Sequence, residues 1–295
     1  MRKFPAGLLY YAIWLITLPP LGVLYLGSWL GYLIMNFFPG YRKNIIYNNL
    51  RTSFPEIPDK DVLFLRKKYY RHLSQVMVES LKAMHWSTEQ HKKRIVLKNS
   101  EYLRQFAVSG NNLVVLAGHT GNWEWLPALV VPYGFDLLGV YKPQSNTFFN
   151  ELTVRIREKK GVYPISMKET ARAMKEVNGN GRPKALLLIA DQIPAKPDIH
   201  FWSQFLNQQT AWFTGGEKIA KKYNLPVVFM RVIKTNRGSY EGTLIPISLT
   251  PDQEQDGAIT RKYIEELEKN VKAQPENWLW SHRRWKHQPE DLYLQ

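Results

Sequence analysis

From Phe4 to Tyr41 the chain carries no charged residue, and beyond Arg42 its apolar positions recur with two different periods. Arg2 and Lys3 precede the apolar run, Arg42 and Lys43 follow it, and Pro19-Pro20 divides it. The second part, 21–38, falls just short of the ~20 residues a helix needs to cross hydrocarbon, and the first, 7–18, is shorter still. The pattern predicts either one tilted, Pro-kinked spanning helix or two halves that enter the bilayer and lie partly at its interface. A basic start and a short apolar core also describe a cleaved leader, but the run continues without an A-x-A cut site. Basic residues at both ends leave the orientation open. The expected organisation is a membrane anchor at 1–43 and one aqueous domain at 44–295.

Behind the anchor, 44–58, with Pro55 and Pro58, reads as a connecting loop. Residues 59–86 place apolar side chains at helical spacing with basic ones opposite, which predicts a long helix. Its basic face (Arg66, Lys67, Lys68, Arg71) suits solvent, a membrane surface or an acidic carrier protein. Strand-like and helix-like runs then alternate. "RIVL" at 94 precedes a helix at 100–108, and "NLVVLA" at 112 precedes one from about 122. "FDLLGVY" at 135 precedes a helix at 148–160, and "GVYPI" at 161 one at 168–177. "KALLLIA" at 184 runs into a loop and then a helix at 213–223. "LPVVFMRVI" and "YEGTLIPI" predict a strand pair turned at Asn236-Arg237-Gly238, and 257–272 an amphipathic helix. Such alternation predicts an α/β fold, a mixed and largely parallel sheet flanked by helices, finished by one antiparallel addition.

Charge adds a partner to this picture. Forty Lys and Arg against 25 Asp and Glu leave a net charge of +15, which suits phosphates, an anionic membrane, nucleic acid or an acidic protein. The basic residues are spread along the chain with no recognition motif, which argues against nucleic acid. There is no cysteine, so disulfides, thiolate metal sites and a cysteine nucleophile are excluded. Ten Trp and 16 Tyr suit a boundary between water and lipid.

Candidate chemistry lies in "LVVLAGHTGNWEWL", 113–126. In α/β sheets ligands gather beyond the carboxyl ends of strands, which is where His119 falls. Glu124 is the only acid in the chain that stands five residues after a histidine. Chance supplies roughly 0.6 such pairs at this composition, so the placement and not the spacing must carry the signal. Two readings stay open. In one, Glu124 orients His119 as a general base, and the backbone N–H groups of Gly121 and Asn122 stabilise an oxyanion. In the other, a turn histidine meets a capping carboxylate. No G-x-S-x-G, Walker loop, H-E-x-x-H or G-x-G-x-x-G is present. A base without a protein nucleophile suits direct attack by a substrate hydroxyl on an activated acyl group.

"GHTGNWE" (118–124) resembles the His-x4-Asp/Glu block of lysophospholipid-type acyltransferases, and more narrowly the late acyltransferases of lipid A assembly in Gram-negative bacteria. "GVYKPQSN" (139–146), "LLIADQ" (187–192), "TAWFTGGEKIAKKYNLPVV" (210–228) and "PENWLWSHRRWK" (275–286) agree in order, so the resemblance covers nearly the whole chain. It implies a glycerolipid acyltransferase-like fold and an inner-membrane enzyme whose domain faces the cytoplasm. Such an enzyme moves a fatty acyl chain from acyl carrier protein, or a coenzyme A thioester, to a hydroxyl of a lipid A precursor, with no metal or other cofactor. His119 then corresponds to the base and Glu124 to its orienting partner. Lys142 stands where the family has Arg in its V-Y-R-P block, which keeps the charge without the planar fork. Asn146 and Asp191 match polar substrate-side positions. Arg283 and Arg284 suit substrate phosphates or anionic lipid headgroups, or core pairing with acids. After Asp191 the sequence departs from the family pattern, which leaves a lysophospholipid or aminolipid as an alternative acceptor.

Overall fold

The continuous apolar runs become the centre of a sheet in the computed structural model, which describes residues 7–38, 40–141, 146–167, 169–175 and 181–292. The strands are β1 (Ile95–Leu97), β2 (Leu113–Ala117), β3 (Asp136–Val140), β4 (Val162–Ile165), β5 (Lys184–Ile189), β6 (Phe201–Phe205), β7 (Gln208–Trp212), β8 (Val227–Asn236) and β9 (Ser239–Ser248). The main sheet runs β1-β9-β8-β2-β5-β3-β4. From β8 to β4 all neighbours are parallel; β9 turns back on β8, and β1 lies parallel to β9. The expected single antiparallel addition is therefore two reversed strands. Helices on both faces bury β2 completely: Val114 and Leu116 join one core, Leu113, Val115 and Ala117 the other.

The helices are α1 (Gly7–Ile16), α2 (Leu21–Phe37), α3 (Lys43–Ser53), α4 (Asp59–Lys82), α5 (Thr88–Lys92), α6 (Ser100–Val108), α7 (Thr147–Lys159), α8 (Thr170–Lys175), α9 (Gly215–Tyr223) and α10 (Ala258–Ala273). Three segments differ from expectation. The predicted loop at 44–58 is mostly α3, because Ile46 and Leu50, one helical turn apart, are wholly buried. The predicted loop before α9 contains the β6–β7 ribbon, turned at Leu206-Asn207 with both residues in left-handed backbone, φ 49° and 62°. The predicted helix near 122 is a tighter 3-10 segment, Trp123–Leu129, into which Pro127 brings no backbone N–H.

Among the described residues no single helix is long and apolar enough to cross a membrane. Leu9–Ile16 and Leu21–Phe37 reach that length only together, bent by 115°. The bend is fixed from below. The Lys82 ammonium at the end of α4 donates to the carbonyls of Thr17 (3.0 Å) and Leu18 (2.7 Å), caught between the two helices. Helix α2 lies along α4, burying Leu21, Tyr25 and Ser28. Its opposite side leaves Val23, Leu26, Trp29, Leu30, Ile34 and Phe37 exposed.

Candidate active site

Parallel strands β2 and β5 run in register, Ala117 beside Ile189, so the residues just past their ends arrive together. One strand delivers His119 and the other Asp191. The Ala190 N–H bonds the Ala117 carbonyl (3.2 Å), which extends the register to the threshold of the site. Gly118 is needed here: a Cβ would lie 2.3 Å from Leu267 Cδ1 and 3.2 Å from Asp191 Oδ2. Gly121 turns the chain with φ 57°.

The carboxylate of Asp191 is 2% exposed and accepts three N–H groups. Oδ1 takes the His119 Nδ1–H at 2.5 Å; Oδ2 takes the His119 backbone N–H at 2.7 Å and the Trp278 indole N–H at 2.8 Å. Burial alone would raise this carboxyl. The His119 charge and these hydrogen bonds outweigh it and hold the group down at about 2. A buried carboxylate without partners costs several kcal/mol; charge-assisted donors, each contributing about 1.5–3 kcal/mol, offset that cost. In the neutral ring, Nδ1–H donating to Asp191 leaves the lone pair on Nε2. The Gln192 side-chain amide faces it at 3.3 Å, and the His119 side chain is 15% exposed. Nε2 is thus turned away from the carboxylate and towards the opening.

Several expectations need correction. Glu124 does not brace His119. Its two oxygens are taken by Arg157 on α7, Nε to Oε2 at 3.0 Å and Nη2 to Oε1 at 2.7 Å. Spacing along the chain put Glu124 near the imidazole, but strand register puts Asp191 against it. Gly121 is not an oxyanion donor, since its N–H is spent on the Asn277 carbonyl at 3.0 Å. Arg284 is not a headgroup ligand: it is 1% exposed, donates to the Ala211 carbonyl at 2.6 Å and lies 4.4 Å over the Trp212 ring. Burial lowers its pKa to about 10, partly offset by the charge of Asp191, so Arg284 is a buried counter-charge for that carboxylate.

The other predicted residues are dispersed. Asn146 caps α7, its side chain accepting the Phe149 N–H at 3.1 Å. Arg283 is exposed. Lys142 lies outside the described residues. The Asn122 side chain is fully buried and donates to Glu79 Oε2 at 2.9 Å; no hydrogen bond engages its backbone N–H among the described residues. Glu79, also fully buried, further accepts the hydroxyls of Tyr25 (2.8 Å) and Tyr240 (2.7 Å). Sequence reasoning missed the roles of Trp278, Gln192, Arg157 and Glu79. Trp278 and Gln192 stand inside quoted family blocks, where a signal existed; Arg157 and Glu79 have none.

A family model described as bacterial lipid A biosynthesis acyltransferase matches residues 5–287. A lipid A biosynthesis lauroyltransferase of Escherichia coli (strain K12) is 24% identical, over 95% of this chain and 90% of that protein. A lipid A biosynthesis palmitoleoyltransferase of the same organism is 23% identical, over 99% and 98%. A lipid A biosynthesis acyltransferase of Haemophilus influenzae is also 23% identical, over 95% and 90%. Among solved structures, the 1-acyl-sn-glycerophosphate (LPA) acyltransferase PlsC from Thermotoga maritima aligns over 87% of this chain and 97% of its own. That alignment has a TM-score of 0.38 and 14% identity, an overlap too loose to speak for function.

Proposed function

The chain belongs to the bacterial lipid A biosynthesis acyltransferase family, and from that premise we propose that it moves a fatty acyl chain from an acyl carrier protein thioester, or its coenzyme A counterpart, to a hydroxyl of a lipid A precursor, with His119 as general base. The observation that carries the reading is the Asp191–His119 pair, which occupies Nδ1 and leaves Nε2 to accept a proton at the carboxyl edge of the sheet. Nε2 takes the proton of the acceptor hydroxyl as its oxygen attacks the thioester carbonyl. The resulting imidazolium is held by Asp191, which is already ionised. Collapse of the tetrahedral intermediate expels the thiolate, which recovers the proton from His119, so the enzyme returns unchanged. The Asn122 backbone N–H is the remaining oxyanion candidate.

In this reading the exposed apolar side of α2 and its junction with α1 seat the protein in the cytoplasmic face of the bacterial inner membrane. The 115° bend favours entry and return on one face over a crossing. The test is transfer of labelled acyl chains from acyl carrier protein to a lipid A precursor in purified membranes. His119→Ala should cut turnover roughly a thousandfold while leaving membrane association intact. Unchanged turnover would remove His119 from the chemistry.

A further inference from the structure

Between α4 and the β8–β9 hairpin the structure contains an open, strongly basic cavity of about 300 Å³. Its walls carry Lys68 and Arg71 from α4 and Lys234 and Arg237 from the β8–β9 hairpin, against one lining carboxylate, Glu276. Among the described residues none of the four cations forms an ion pair. Glu276, with Glu79 buried behind Lys234, offsets only part of this charge. The remaining like charges repel one another, and an anion between them relieves that repulsion. A neutral donor stands among them, the side-chain amide of Gln75, while those of Gln274 and Asn277 donate to the Lys234 carbonyl and to Gln274 Oε1. The volume equals roughly ten waters, room for a phosphate and the first carbons of its ester.

Two of the cations are tied to the apolar N-terminal helix. The Arg71 guanidinium lies 5.4 Å over the Tyr32 ring and that of Arg237 4.6 Å over the Tyr25 ring, both on α2. The opposite side of α2 is the exposed apolar stripe described above. If that stripe lies among acyl chains, the cavity stands at headgroup depth, where basic side chains meet lipid phosphates.

The cavity reaches the turn that carries His119 through one of its lining side chains, His72. Lys234 Nζ donates to Gln75 Oε1 at 2.6 Å and lies 3.3 Å from Nδ1 of the buried His72. His72 Nε2 in turn meets the Gly121 carbonyl at 3.1 Å. Burial, with Lys234 beside it, lowers the His72 pKa to about 3, so the ring is neutral and donates from Nε2 while accepting on Nδ1.

We propose that this cavity binds a lipid-borne phosphate at the membrane surface, separate from the His119 site and linked to it through Lys234, His72 and Gly121. The phosphate can belong to a resident anionic phospholipid or to the acceptor lipid itself. The inference goes beyond acyl transfer, and its test needs no acyl donor, so it stands or falls apart from the role of His119.

The test is co-sedimentation of the full chain with vesicles of phosphatidylcholine alone, with added phosphatidylglycerol, or with an added phosphorylated glycolipid. The variant is Lys68→Gln/Arg71→Gln/Arg237→Gln, three exposed positions whose change leaves the core intact. An equal-charge control is Lys60→Gln/Lys218→Gln/Lys222→Gln, exposed lysines outside the cavity. Each basic side chain near an anionic surface contributes about fivefold in affinity, so the cavity variant should bind at least about tenfold more weakly than the control. A deficit with phosphatidylglycerol assigns the site to a resident phospholipid; a deficit confined to the glycolipid assigns it to the acceptor. Equal affinity of the cavity and control variants in every vesicle set would overturn the proposal, because diffuse charge would then explain binding.

Discussion

The turn from Gly118 to Asn122 is gripped on one flank by Asp191 and on the other by Glu79, two carboxylates buried to nearly the same degree. Each accepts three hydrogen bonds. Those on Asp191 come from a backbone amide, an indole and an imidazole; those on Glu79 come from Tyr25, Tyr240 and the Asn122 amide. Only one of these six donors sits on a side chain with a second ring nitrogen turned towards an opening, and that is the His119 imidazole. Burial and satisfaction alone therefore do not mark a catalytic acid. In the proposed mechanism, the identity of the donor separates the carboxylate that would tune the base from one that ties elements together.

Substitutions on the two flanks should separate the same way. Asp191→Asn should have the largest effect on turnover, a loss of roughly a thousandfold, since an amide cannot hold the imidazolium and can select the wrong tautomer. Its effect on stability should depend on pH. The folded value of Asp191, about 2, lies below its ordinary 3.8, so its contribution is full above about pH 4 and is lost as pH falls towards 2. Acid unfolding curves of the wild type should show that loss, worth about 2 kcal/mol, and those of the variant should lack it. Glu79→Gln should invert the pattern, costing about 2 kcal/mol of stability in denaturant titrations but less than tenfold in turnover. If it silences the enzyme at unchanged stability, the contrast between the flanks is wrong. Trp278→Phe should have the smallest effect. It removes one donor from Asp191, costs about 1 kcal/mol and lowers turnover several-fold, with the acid limb of the rate profile moved upward.

Much of the frame was legible because apolar runs are local. The strand cores at 112–117, 135–141 and 184–190 and the helix at 100–108 announce themselves by period. Helix α3 did not, because its sequence is rich in Asn and its helical face consists of little more than Ile46 and Leu50, whose burial depends on partners far along the chain. The β6–β7 ribbon was hidden by a turn of Leu206 and Asn207, where left-handed backbone is usually announced by glycine. The position of His119 could be read from strand-then-glycine. Its true partner could not, since the β2–β5 register joins residues 72 positions apart and no periodicity encodes which strand lies beside which. Glu124 was the nearer acid along the chain, and Arg157, which claims it, gave no sign of doing so.

The clasp at the end of α4 bears on how this protein is handled in the laboratory. Trimming the apolar segment before Leu21, an ordinary step towards a soluble sample, deletes the Thr17 and Leu18 carbonyls and strands the largely buried Lys82 ammonium without acceptors. The damage would fall on the helix that presents Glu79 to the turn carrying His119. A shortened enzyme that has lost activity would then report a loosened scaffold as readily as a missing bilayer contact, so detachment is better studied by replacing exposed apolar side chains of α2 than by cutting.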